Sequence, residues 1–254
     1  MGMLDNRHAL ITGGGTGIGA AIARTLAGEG AAVSLAGRRK PLLDDVAASL
    51  AKATTIVADV TKDADCEAMA TAARSANGPI DIVIANAGAA ASAPATKLDL
   101  ARWHDMIDVN LTGAFLTVKA ALADVTRQSS GPRRIIFIAS TAGLRGYPYV
   151  AAYCAAKHGV VGLARALSLE LASSGVTVNA VCPGYTDTPL LDAAAEKISA
   201  KTGRSAEESR AILAKDNPSG RLIKPEEIAQ VVLRLCAPSA GSVSGQAIEV
   251  GGEQ

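Results

Sequence analysis

Aromatic residues are scarce in this chain of 254 residues: two phenylalanines, one tryptophan and four tyrosines, 3% of the total. With 49% apolar residues beside them, the core is expected to be built of aliphatic side chains and alanine. Net charge is also lacking, at +1, which removes the electrostatic case for nucleic acid or an anionic membrane as main partner. The basic groups Arg38–Lys40 and Arg133–Arg134 are short, and the second reads as a solvated strand end. The four cysteines, Cys66, Cys154, Cys182 and Cys236, lie far apart with no CxxC and no histidine at ligand spacing. That argues for buried thiols in a reducing compartment and against a metal site. His8, His104 and His158 show no pattern of a hydrolytic triad. No segment approaches the roughly 18 apolar residues of a membrane span, no signal peptide fits Asp5 and Arg7, and Asn6 stands where a myristoylation motif wants Ser or Thr. A cytoplasmic protein is expected. No Pro/Gly/Ser-rich linker divides the chain, so one domain is expected over residues 1–254.

What is present is alternation. Short β-branched runs, HALIT from His8, AVSLA from Ala32, TTIVA from Thr54, IDIVIA from Ile80, RIIFIA from Arg134, VTVNAVC from Val176 and QAIEV from Gln246, are mostly separated by one helix's worth of alanine-rich sequence. Such alternation predicts right-handed crossovers and an α/β, doubly wound Rossmann fold: about seven parallel strands with helices on both faces. Two regions depart from it. Leu98 to Arg127 reads as one long helix reaching past the sheet, a candidate subunit contact. Residues 185–220 form a lid-like insertion with two short amphipathic helices, PLLDAAAEKISA and SAEESRAILAK.

The first strand runs into TGGGTGIG, Thr12 to Gly19, and then into a helix. Glycines there let the backbone turn and bring N–H groups against a pyrophosphate at a helix N-terminus. Further on, AAYCAAKHGVVGLARALSLELA, from Ala151, reads as an apolar helix, yet it places Tyr153 and Lys157 four apart on one face. A free phenol titrates near 10; an ammonium about 5 Å away at an effective dielectric of about 20 favours the phenolate by ~3 kcal/mol, or about 2 pK units. The expectation is a tyrosine moved toward useful acid/base range. Tyr147 and Tyr149, which flank Pro148, read as cleft walls.

The spacing Gly13, Gly17, Gly19, with NAG at Asn86–Gly88, Asn110, Ser140, the Tyr153/Lys157 pair and PG at Pro183–Gly184, resembles the short-chain dehydrogenase/reductase family over essentially the whole chain. The resemblance implies that Tyr153 exchanges the proton with the substrate oxygen and that Ser140 orients that oxygen. It implies that Lys157 holds the nicotinamide ribose and lowers the tyrosine pKa, and that Asn110 supports a water relay. It further implies cofactor contacts from Gly13, Gly15, Thr16, Gly17, Ile18 and Gly19, from Asp59 and Val60 at the adenine, from Asn86, Ala87 and Gly88, and from Pro183, Gly184, Thr186 and Thr188. For single residues bland readings stay open: Ser140 as a cap, Asn110 as a helix kink, Asn86 as a turn residue.

Strand two ends in Gly37 and Arg38 where an acidic residue would serve NAD. An arginine there suits a 2′-phosphate, so NADP(H) is favoured over NAD(H), although Thr16 brings no charge to the loop. The insertion carries five basic and six acidic residues over 185–217, so charge does not signal coenzyme A. The chain looks most like members acting on 3-hydroxyacyl or 3-oxoacyl thioesters. The alternatives are a cofactor-binding regulatory protein, a reductase of a steroid, sugar or xenobiotic ketone, and an epimerase or dehydratase on the same fold. The family pairs its helices across a two-fold axis, so a homotetramer or homodimer is expected.

Overall fold

A computed structural model describes residues 2–128 and 130–251. The β-branched runs form β1 (His8–Thr12), β2 (Ala32–Gly37), β3 (Ala53–Val57), β4 (Ile82–Ala85), β5 (Arg133–Ile138), β6 (Val176–Pro183) and β7 (Ala247–Val250). All pair in parallel, in the order β3-β2-β1-β4-β5-β6-β7. Because side chains alternate across a strand, neighbours feed opposite cores. Leu10 joins Val83, Ile135, Phe137 and Val178 beneath α3 (Asp63–Asn77), α5 (Gly113–Thr126) and α6 (Ala151–Glu170). Ile11 joins Val33, Leu35, Ile82 and Ile84 beneath α1 (Gly17–Gly28), α2 (Lys40–Ala47) and α9 (Pro225–Cys236). With both faces covered, the reaching ends of the sheet are its carboxyl edge and the loops there. Strand order reverses between β1 and β4, which opens a crevice at that edge.

The expected helix from Leu98 to Arg127 is interrupted. A 3-10 turn at Ala95–Lys97 precedes α4 (Leu100–Ile107), and a π-helical turn at Asp108–Thr112 separates α4 from α5. The cause is Asn110, whose Nδ2 donates to the Met106 carbonyl at 3.0 Å and displaces it from the regular ladder. The run Leu100–Thr126 is also long and apolar enough to cross a membrane by length and composition, contrary to expectation, but half of its most apolar window is packed inside the protein. Arg134 is a second correction. It is 3% exposed, and its guanidinium donates to the carbonyls of Leu235 and Ala237 at 2.8 and 2.9 Å, capping the C-terminus of α9.

The insertion folds as expected into two helices, α7 (Pro189–Thr202) and α8 (Ala206–Lys215), packed on each other through Leu191, Ala195 and Leu213. Ser205 and Glu208 form a reciprocal capping box at the start of α8. Asn217 fastens the insertion to the sheet: its Oδ1 accepts from Tyr185 N at 2.9 Å and its Nδ2 donates to Tyr185 O at 2.8 Å.

Candidate active site

The glycine loop sits at the crevice. Gly13 has φ +67, a left-handed conformation costly for a side chain, and a Cβ on Gly19 would lie 2.3 Å from the Gly13 carbonyl oxygen. The turn and the first residues of α1 can nest only without side chains. Thr12 Oγ1 accepts from the N–H groups of Asn86 and Ala87 at 3.1 and 3.2 Å, and Asn86 Nδ2 donates to the Thr12 carbonyl at 2.8 Å. These bonds staple the end of β1 to the end of β4. Asn86 thus works as a turn residue and lines the cleft as well. Sequence reasoning missed Thr12; its signal is a hydroxyl residue ending a buried strand immediately before the glycines.

One cleft gathers most of the expected cofactor residues: Gly13, Gly15, Thr16, Gly17, Ile18, Gly19, Arg38, Asp59, Val60, Asn86, Ala87, Gly88, Tyr153, Lys157 and Thr188, with Asn110 beside them. Pro183, Gly184 and Thr186 do not line it. They form the turn after β6, where Thr186 Oγ1 donates to the Gly184 carbonyl at 2.9 Å and Asn217 closes against Gly184. Arg39, Leu42, Leu43, Val109, Ile138 and Leu190 complete the walls. Several of these look like ordinary core positions in sequence, and only the tertiary fold turns them toward the cleft. A cradle of bare backbone at a helix N-terminus suits a dinucleotide pyrophosphate, and the exposed Arg38 stands at the end of β2. Arg38 also helps, after two hydrogen bonds from Thr61, to hold the Asp59 carboxyl below its usual range against the upward push of burial.

Tyr153 and Lys157 share the cleft-facing side of α6. Lys157 is 4% exposed; its Nζ donates to the Ile138 carbonyl at 2.8 Å and lies 5.7 Å from the centre of the Tyr153 ring. Burial lowers the ammonium pKa to about 8. Burial also pushes the Tyr153 phenol up to about 12, against the opposing hydrogen bond of Ser140. The downward shift expected from Lys157 is therefore not found: burial moves the phenol the other way. The side chain is half-buried by surface; burial is the largest cause of the shift, and the Lys157 ammonium, committed to the Ile138 carbonyl, does not bring the phenol down. Burial likewise keeps Cys182 a thiol, at about 11.

Ser140 follows β5 and caps the 3-10 turn Thr141–Gly143, with its Oγ accepting from Ala142 N at 3.1 Å and donating to Pro183 O at 3.5 Å. The cap reading and contact with Tyr153 hold together. Asn110 is 1% exposed; its Oδ1 accepts from Ala89 N at 3.2 Å and its Nδ2 donates to Ala89 O at 2.9 Å. A Cβ on Gly88 would meet Asn110 Oδ1 at 2.8 Å and Lys157 Nζ at 3.7 Å. Glycine at 88 lets the loop after β4 lie directly against both residues. Tyr147 and Tyr149 stay out of this cleft: Tyr147 Oη bonds Thr141 Oγ1 at 2.9 Å and Tyr149 lines a second pocket.

A glycine cradle at the switch point of a doubly wound sheet, faced by a phenol and an ammonium, defines a dinucleotide-dependent oxidoreductase acting on CH–OH groups. The chain belongs to the short-chain dehydrogenase family, whose model matches residues 7–199. It is 37% identical to the D-β-hydroxybutyrate dehydrogenase of Cupriavidus necator over 96% of this chain and 95% of that one. It is 39% identical to 2-(S)-hydroxypropyl-CoM dehydrogenase 3 of Xanthobacter autotrophicus over 98% and 96%. Among solved structures, a variant of actinorhodin polyketide ketoreductase with NADPH superposes with a TM-score of 0.92 at 37% identity, covering 98% of this chain and 97% of that chain.

Proposed function

We propose that this oxidoreductase interconverts a ketone and a secondary alcohol of the 3-oxoacyl/3-hydroxyacyl kind, favours NADP(H) over NAD(H), and assembles as a homodimer or homotetramer. The carrying observation is a neutral phenol, Tyr153, poised in the same cleft as the glycine cradle with Ser140 and Lys157 beside it. The phenol is protonated at neutral pH and so has a proton to give in carbonyl reduction; the burial that raises its pKa to about 12 works against that transfer, and Ser140 opposes the rise. When bound, the nicotinamide cofactor supplies the hydride.

The chain supplies position and the proton. Tyr153 Oη delivers the proton to the carbonyl oxygen, and the Ser140 hydroxyl holds that oxygen in line. Lys157 presents its ammonium to the cofactor ribose and to the tyrosine. Asn110, fixed by Ala89 and Met106, supports a water relay that returns a proton to the pair. Asn86, Ala87, Gly88, Asp59, Val60 and Thr188 wall the cofactor, and Arg38 takes the 2′-phosphate. Support for the substrate class comes from the hydroxybutyrate dehydrogenase and the NADPH-bound polyketide ketoreductase among the relatives. Support for assembly comes from Leu100, Phe115 and Leu169, exposed by 68%, 45% and 81% on α4, α5 and α6.

Tyr153→Phe tests this reading because it removes one oxygen and keeps the ring. Turnover of the best ketone from a panel of acyl thioesters, steroids, sugars and simple ketones should fall by about 10³-fold, while NADPH affinity stays within about twofold. Turnover within about threefold of the parent overturns the assignment.

A further inference from the structure

A second pocket, of about 330 Å³, opens where α4, α7, the loop after β4 and the start of α6 meet. Its charged lining is of one sign. Arg102, Lys197 and Lys201 face it, and among the described residues no carboxylate does. Lys197 and Lys201 are four apart on α7, so they project from one side of that helix. Arg102 is held near Asp99, at 3.6 Å, and donates to the Lys97 carbonyl at 3.3 Å; the two lysines have no ion-pair partner among the described residues. The near-neutral charge of the insertion hides this segregation. Of its six acids, Asp187 and Asp192 are drawn to Arg210 of α8, and Glu196, although on α7, does not line the pocket.

The pocket adjoins the reacting end. Ala152 lines it and precedes Tyr153, and Met106 lines it and shares a hydrogen bond with Asn110. On its rim Tyr149 is 66% exposed at φ +67, a conformation rare for a bulky residue, held by its carbonyl accepting from Ala93 N at 2.8 Å.

We infer that this pocket binds an anionic group, a carboxylate or phosphate, at the end of the substrate remote from the reacting carbonyl. The inference rests on Tyr153 marking the reacting end. Two lysines without an acid, with Arg102 beside them, would select such a group by charge and hold it by charge-assisted hydrogen bonds, and α7 would close over it.

The test compares a 3-oxo acid with its neutral methyl ester, reduced with NADPH by the unmodified chain and by Lys197→Gln/Lys201→Gln, a pair of exposed and conservative changes. The unmodified chain should favour the acid in kcat/KM by about tenfold or more, and the variant should bring the ratio within about threefold, mainly through KM of the acid. An equal ratio in both proteins, or equal losses on acid and ester, overturns the proposal. A calorimetric titration with inorganic phosphate reads the pocket independently of turnover. A binding component lost in the variant is expected, and identical isotherms overturn the site. If neither ketone is reduced, the assignment of the reacting end fails, and the phosphate titration alone decides the pocket. Phosphate binding with an unchanged acid/ester ratio would place a free anion there and overturn the claim about the substrate.

Discussion

The two ends of the same strands treat polar groups in opposite ways. At the amino ends, Asp81 accepts from His8 N at 3.0 Å and from Arg127 at 2.5 Å, with Arg7 at 3.6 Å; Arg74 meets Asp124 at 2.7 Å; and His8 bonds both Gly78 O and Ser34 Oγ at 2.8 Å. These charges meet opposite charges, while Arg134 nearby is held by the carbonyls of Leu235 and Ala237 alone. At the carboxyl ends, Lys157 is buried without an anion, the Tyr153 phenol is desolvated, and Arg38 makes no ion pair among the described residues. What separates the two sets is their surroundings: Arg134 is also buried without an anion, but it is enclosed by the fold, whereas Lys157, Tyr153 and Arg38 line a cleft that can take a ligand.

The comparison breaks first at the amino ends if Asp81→Ala is harmless. Removing this 3%-exposed carboxylate leaves Arg127 and the His8 N–H without their anion, so destabilisation by about 3 kcal/mol is expected in urea unfolding, with kcat/KM of the folded enzyme little changed. A loss below about 1 kcal/mol would show the network to be incidental.

At the other end the sign should invert. Lys157→Met should cut kcat/KM by about 100-fold or more while leaving the melting temperature at pH 7 equal or higher. Burial depresses the Lys157 pKa from 10.5 to about 8, so the folded state carries its full penalty below pH 8. Between pH 8 and 10.5 the folded lysine loses its proton while the unfolded one keeps it, and the penalty fades as pH rises. Stability of the unmodified chain should therefore gain on the Met variant across that window. A variant that melts well below its parent at pH 7 would mean that the bond to Ile138 outweighs desolvation.

Much of the carboxyl end was legible because chemistry there demands residue types at fixed spacing. Gly13, Gly17 and Gly19 mark a turn, and Tyr153 and Lys157 share a helical face whatever the sheet does. The strands were legible as β-branched runs, and the two helices of the insertion from their amphipathic pattern. Contacts across sequence were not. Nothing local shows that Arg134 reaches Leu235, a hundred residues on, whereas the helix kink at Asn110, made by its bond to the Met106 carbonyl four residues back, was among the readings the sequence left open. Nor could spacing give the Tyr153 shift, because its largest cause is burial, which is a property of the fold and not of helical spacing. Pro183 and Gly184 read as cofactor contacts, whereas the Pro183 carbonyl accepts from Ser140 and a side chain at Gly184 would run into Asn217.

Gly37→Asp with Arg38→Leu sharpens the comparison at its cofactor edge. A Cβ on Gly37 would meet only the Leu43 side chain, at 3.6 Å, so the aspartate fits without strain. If Arg38 awaits a 2′-phosphate by a contact worth about 1.5–3 kcal/mol, the unmodified chain should prefer NADPH to NADH by about tenfold or more in kcat/KM, and the double variant should reverse the order. The uncharged Thr16 in the loop sets the preference as moderate. Equal values for the two cofactors on the unmodified chain would make Arg38 a solvated strand end.

The smallest effect probes the amino ends where their own rule lapses. Thr177, the second residue of β6, is 4% exposed, and its Oγ1 has no partner among the described residues. A buried hydroxyl without a hydrogen bond costs roughly 1–3 kcal/mol, and valine keeps both the shape and the β-branching that a central strand favours. Thr177→Val should stabilise the chain by about 1 kcal/mol, or some 2–4 °C in melting temperature for a protein of this size, with kcat/KM unchanged because β6 begins at the end away from the cleft. The sign is the informative part. Stabilisation would show that the amino end is held by satisfied pairs and that an unsatisfied one is a plain defect there. Destabilisation, read by thermal melts at matched pH, would mean that the Thr177 hydroxyl finds a partner in solution and that the contrast between the two ends is sharper than the hydrogen bonds of Asp81 and His8 alone define.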